Sequence, residues 1–61
     1  MNYYVTDLRL IKNGYFFEVD TQGSMHVYKA GTMEYLDSIY LGINPKDEEF
    51  KNAISNWLLK K

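Results

Sequence analysis

From Tyr3 to Ile11 the chain alternates with a period of two. Tyr4, Thr6, Leu8 and Leu10 fall on one side, and Tyr3, Val5, Asp7, Arg9 and Ile11 on the other. This predicts a strand over residues 3–11. Asn13-Gly14 follows, the strongest short hairpin signal, because a type I′ turn needs positive φ at both central residues. A two-residue loop sets the register of the next strand, residues 15–20. Lys12 then faces Tyr15, Leu10 faces Phe17, Leu8 faces Val19 and Arg9 faces Glu18. Two apolar pairs share one face and an opposite-charge pair the other. Asp7 opposite Asp20 is the one unfavourable pair. A second turn lies at Thr21-Gln22-Gly23. If Gly23 closes a three-residue loop, Val19 faces Met25 and Phe17 faces Val27 in a third strand over 25–29. His26 and Tyr28 then join Phe16 on the outer face. A loop of two or four residues would flip that strand.

Gly31-Thr32 is expected to end the sheet. Thr32 can cap a helix over 33–41, with Glu34 in its first turn and Gly42 as its stop. Met33, Leu36 and Tyr40 form one stripe of that helix, with Tyr35 and Ile39 to the side. Asn44-Pro45 opens a second helix over 45–59, with Asn44 as N-cap and Pro45 in the first helical position. Its Phe50, Ala53, Ile54, Trp57 and Leu58 follow the spacing of a single buried face. The expected fold is α+β, a three-stranded antiparallel β-meander followed by two α-helices, in one domain over 1–61.

Size sharpens the picture. A chain of 61 residues buries only about 60% of the surface its unfolded form exposes. With no cysteine for a disulfide, it gains by sharing apolar surface with a second copy, so a homodimer is expected. Six Tyr, three Phe and one Trp are more aromatics than a small core holds, and such side chains concentrate at interfaces. The first helix in particular carries more apolar surface than docking on three strands would use, which implies a partner. Net charge is −1, which gives no footprint for nucleic acid over the whole chain. Acids gather at Glu34, Asp37 and Asp47 to Glu49. No targeting signal or bilayer-length apolar run is visible, so the expected compartment is the cytoplasm.

No catalytic constellation emerges. His26 is the single histidine and reads as an ordinary strand residue near Glu18. No serine has a base at helical or strand spacing, and the acids 47–49 read as first-turn residues complementing a helix dipole. No metal or cofactor is implied, and the glycines make turns, not a phosphate loop. Tyr3, Phe16 and Tyr28 could stack bases on an aromatic sheet face, but acids oppose the few cations there. A protein partner is the stronger expectation.

Tyr3-x-Val5-Thr6-x-Leu8, Tyr28-Lys29 and Leu36-Asp37-x-Ile39-Tyr40, in that order along the chain, resemble the uracil-DNA glycosylase inhibitors of small Bacillus phages. Asp47-Glu48 opening the second helix is similar as well. The resemblance implies a homodimeric protein that mimics DNA. It would bind the DNA-binding face of a host uracil-DNA glycosylase and capture the enzyme's minor-groove leucine in an apolar pocket. Leu36 would stand at the pocket aromatic with Tyr40 beside it, and Asp37 would face phosphate-binding loops. Met33, Glu34, Tyr35 and Ile39, on the same segment, complete the partner-binding surface expected from its excess apolar area and nearby acids. A small phage or bacterial adaptor that binds a different host protein is the alternative.

Overall fold

The computed structural model, which describes residues 8–61, realises the first hairpin as its turn chemistry dictates. Asn13 and Gly14 both have positive φ, 54° and 83°. β1 (Arg9–Lys12) and β2 (Tyr15–Val19) pair Lys12 with Tyr15, Leu10 with Phe17 and Arg9 with Glu18. The Val19 N–H donates to the Leu8 carbonyl at 3.0 Å, which carries the predicted alignment one step further. The strand expected over 3–7, and the Asp7–Asp20 pair with it, lies outside the described residues.

The second turn also follows its sequence. Gly23 takes φ +93°, and β3 (Ser24–Lys29) pairs Met25 with Val19 and Val27 with Phe17. Asp20 shapes this loop. Its Oδ1 accepts from the backbone N–H groups of Gln22 at 2.9 Å and Ser24 at 3.0 Å, the Asx geometry that Asp supplies at turns.

Beyond Lys29 the expectation fails. The sheet does not end at Gly31-Thr32; it turns there and continues. The Met33 N–H donates to the Lys29 carbonyl at 2.7 Å, with Gly31 and Met33 both at positive φ. The segment expected to be a helix over 33–41 is a fourth strand, β4 (Glu34–Tyr40). Thr32 is therefore a turn residue, not a helix cap, and Gly42 at φ +102° closes a strand. Over the described residues the protein is thus a four-stranded antiparallel sheet in the order β1-β2-β3-β4, followed by one helix, not three strands and two helices. Two physical reasons favour the strand. A helix shorter than about 12 residues is marginal on its own, whereas the free edge of β3 offers a ready ladder. Tyr and Ile also suit a pleated surface.

A β-bulge concealed this strand. β4 pairs Asp37 with Val27 but Tyr35, two residues back, with Tyr28, so Leu36 is an extra residue in the ladder. The bulge shifts the alternation by one position. Asp37 and Ile39 turn toward the helix, while Tyr35, Ser38 and Tyr40 turn away. A strict period-two reading of the segment therefore finds no clean face.

The helix, α1 (Asp47–Leu59), begins two residues later than expected. Asn44 has φ 53°, a left-handed conformation incompatible with an N-cap, which needs extended backbone. Lys46 holds that extended position, with φ −83° and ψ 160°. The Glu49 carboxylate reaches back to accept the Lys46 N–H at 2.8 Å, half of a capping box. Pro45 is buried ahead of the helix. The buried face is the predicted one. Phe50 and Ile54 close over Phe17, Val19, Met25 and Val27, with Ala53, Trp57 and Leu58 packed around them.

Gly23 is the most tightly packed of the glycines. A Cβ there would collide with the Gly42 carbonyl, and the Gly23 carbonyl accepts the Leu41 N–H at 2.7 Å. Gly14 has the same backbone preference but open space around it. Gly14→Ala should cost about 1–2 kcal/mol from left-handed strain alone, and Gly23→Ala clearly more, because backbone must also move. Urea unfolding of the two variants checks the order; equal midpoints would contradict it.

Candidate functional site: the uncovered face of the sheet

One helix covers one side of the sheet, and the other side has no covering element among the described residues. Its side chains lie in rows fixed by strand register. Ile11 pairs with Phe16, Phe16 with Tyr28, and Tyr28 with Tyr35, so one apolar row crosses all four strands. The rings touch along it. Phe16 and Tyr28 centroids lie 5.9 Å apart, and Tyr28 and Tyr35 lie 5.4 Å apart. Such tilted contacts hold the rings in fixed orientation. Ile11 and Tyr35 are more than half exposed.

The next row is polar: Arg9, Glu18, His26 and Ser38. Here a hydrogen-bonded chain runs through the histidine. His26 Nε2 lies 2.8 Å from Asp20 Oδ2, and His26 Nδ1 lies 3.0 Å from the Tyr35 hydroxyl. The His26 ring also packs at 5.8 Å from the Tyr35 ring. The hydrogen bond from His26, helped by the Ser24 and Gln22 N–H groups, holds the Asp20 carboxyl down at about 2 against an ordinary 3.8. His26 is in register with Glu18, as its sequence position suggests, but its side-chain partners are Asp20 and Tyr35. The sequence placed Tyr35 on a helix, so this chain was invisible there. Phe16, His26 and Tyr28 were correctly assigned to one outer face, and that was the available signal.

The residues implied by the inhibitor resemblance do not gather into one pocket. Met33 sits in the β3–β4 turn and Glu34 opens β4 opposite Lys29. Tyr35 and Tyr40 are on the uncovered face, the latter 65% exposed. Leu36 is the bulge residue, 39% exposed. Ile39 packs against the core from the helix side. Asp37 is engaged twice. Its Oδ1 accepts the Ser38 N–H at 2.8 Å and its Oδ2 accepts the Trp57 Nε1–H at 2.8 Å. Asp37, Ile39, Leu41, Ala53 and Trp57 line a shallow groove of about 360 Å³ between β4 and α1. Leu36 and Tyr40 are not part of it.

Among the described residues, no cluster of three or more His, Asp or Glu side chains could hold a metal. Among them, too, no helix is long and apolar enough to cross a membrane. No family model, curated protein or solved structure matches the chain.

Two expectations follow from these contacts. Because the folded Asp20 releases its proton near 2 and the unfolded chain near 3.8, the unfolded form holds more protons between those values. Stability then rises with pH across that window. The contribution is complete above about pH 5 and is lost as pH falls through the folded value. His26→Ala should move the Asp20 midpoint back toward the ordinary value in carboxyl NMR; an unmoved midpoint would remove His26 as the cause. Separately, Asp37→Ala strips the Trp57 N–H of its acceptor and should cost about 1 kcal/mol in urea melts followed by Trp57 fluorescence.

Proposed function

We propose that this chain is a non-catalytic binding module whose uncovered sheet face docks on a protein partner. The observation that carries the reading is the continuous Ile11–Phe16–Tyr28–Tyr35 row, which no element among the described residues covers. Exposed aromatic rows with polar flanks supply the anchor and rim of a protein interface. The charges beside the row argue against nucleic acid. Arg9 is opposed by Glu18 and by Asp20, held ionised by its hydrogen bonds, so a phosphate backbone would meet as much repulsion as attraction. Tyr3, the third aromatic of the expected base-stacking surface, lies outside the described residues.

The size of the face bears on what covers it. Four strands at about 4.8 Å spacing and about five residues at 3.3 Å give roughly 300 Å² in projection. Doubling that for side-chain relief still falls short of the about 800 Å² per partner of a stable complex. A homodimer formed through this face alone would be weak. A partner that also wraps onto Tyr40 and Ile43, both exposed at one end of the sheet, reaches the required area. This favours the adaptor reading, with a larger, different protein as the partner.

A host uracil-DNA glycosylase is the one partner that the sequence resemblance nominates. The leucine-capturing pocket was to be built on a helix over 33–41, and β4 occupies that segment, so the reading now stands on the sequence alone. Uracil excision in the presence of excess chain decides it; undiminished excision removes the glycosylase and leaves the docking face untouched.

The docking face itself is tested by Tyr28→Ser. Tyr28 is half-buried at the middle of the row and outside the core. With a partner isolated by affinity capture, the variant should lose at least about tenfold in Kd, the cost of a central aromatic anchor. The control is Ser55→Ala on the exposed side of α1, which should bind normally. Equal loss in both would mean that the sheet face is not the contact.

A further inference from the structure

The uncovered face carries, beside its apolar row, a hydrogen-bonded chain with two proton arrangements. Asp20 sits in the β2–β3 loop, His26 on β3 and Tyr35 on β4, joined at 2.8 and 3.0 Å. The carboxylate can only accept, so His26 Nε2 must carry a proton whenever Asp20 is ionised. That fixes the tautomer of the neutral ring. Nδ1 is then a bare lone pair, and the hydrogen bond at 3.0 Å requires Tyr35 to donate its hydroxyl proton inward. When the imidazole takes a second proton, Nδ1–H becomes a donor. The Tyr35 oxygen must then accept, and its own proton turns outward.

We propose that the Asp20–His26–Tyr35 chain is a proton-set selector on the docking face, presenting the Tyr35 hydroxyl to a partner as an acceptor when His26 is neutral and as a donor when it is charged. The neutral state suits a partner that presents N–H groups at this point, such as a backbone amide or guanidinium. The charged state suits a carbonyl or carboxylate. The selector's meaning for binding rests on the docking reading above, but the switch belongs to the free chain.

The groups around His26 permit both states. Glu18 is in register with it on β2, with Arg9 opposite Glu18 on β1; Ser38 is in register with it on β4. Asp20 closes the loop side. Glu18 and Asp20 place negative charge on this side of the sheet, and Arg9 positive charge. Tyr35 is 54% exposed, so a partner can read its hydroxyl. A histidine ring goes from one N–H donor to two on taking a proton, which is the change such a selector needs.

The experiment is NMR titration of the isolated chain from about pH 5 to 8. Imidazole nitrogen shifts should show the Nε2–H tautomer at the alkaline end. The Tyr35 Cζ resonance should move with the same midpoint as His26, while Tyr40, which takes no part in the chain, stays flat. His26→Gln should abolish the movement at Tyr35. An Nδ1–H tautomer, a Tyr35 resonance that stays flat, or equal movement at Tyr40 would each overturn the selector. Because no partner is present, those outcomes leave the docking face standing. Loss of partner binding in Tyr28→Ser with an intact titration, or the reverse, tells the two apart.

Discussion

Among the described residues, coverage of the sheet by a single helix is the constraint from which the rest of the structure follows. A sheet whose strands alternate apolar and polar positions can leave one face to solvent, and here α1 seals Phe17, Val19, Met25 and Val27 with Phe50 and Ile54. The opposite face would ordinarily be polar. Half of it is, in the Arg9, Glu18, His26 and Ser38 row, but the neighbouring row is Ile11, Phe16, Tyr28 and Tyr35. A small domain with little core to spare has placed apolar side chains where they add nothing to its own burial beyond contact with one another. That placement is the strongest physical pointer to an interaction surface.

β4 ties the arrangement together. Among the described residues it is the last strand of the sheet, and an edge strand is the kind of element that recruits other chains. Several features blunt it. The bulge at Leu36 interrupts the ladder, and the Asp37 carboxylate takes up the Ser38 N–H. The other oxygen of Asp37 holds the Trp57 indole, and Trp57 packs edge-on against Tyr15 and Phe17. One side chain therefore caps the edge and anchors the helix. This occupation of Asp37 also leaves it poorly placed to stand in for a phosphate.

How much of this was legible depended on local chemistry. Asn13-Gly14 specifies its turn and the register of the first hairpin, whereas Thr21-Gln22-Gly23 marked the second turn but left its length open, which Asp20 settles through its bonds to Gln22 and Ser24. The buried stripe of α1 was equally plain, because Phe50, Ala53, Ile54, Trp57 and Leu58 repeat at helical spacing. β4 was not. Met33, Leu36 and Tyr40 happen to fit a helix, Gly31 and Gly42 bound the segment as helix ends would, and Leu36 breaks the alternation that marks a strand. The decisive influence was β3, whose open edge is a tertiary fact that no local pattern reports. Losing β4 also lost Tyr35 and, with it, the hydrogen-bonded chain through His26. The N-cap failed for a related reason: Asn44 fits either a cap or a left-handed turn, and the chain's exit from β4 selects the turn.

The order of the strands has a kinetic consequence. Each strand pairs only with its neighbours in sequence, so every ladder closes across a loop of a few residues. The ladder contacts are therefore local in sequence, and local contacts correlate with rapid folding. The first two hairpins can nucleate from their own turns. Docking of α1, which reaches back across the meander to cover Phe17, closes a longer stretch of chain than any of the three ladders and so carries the larger loop-closure cost.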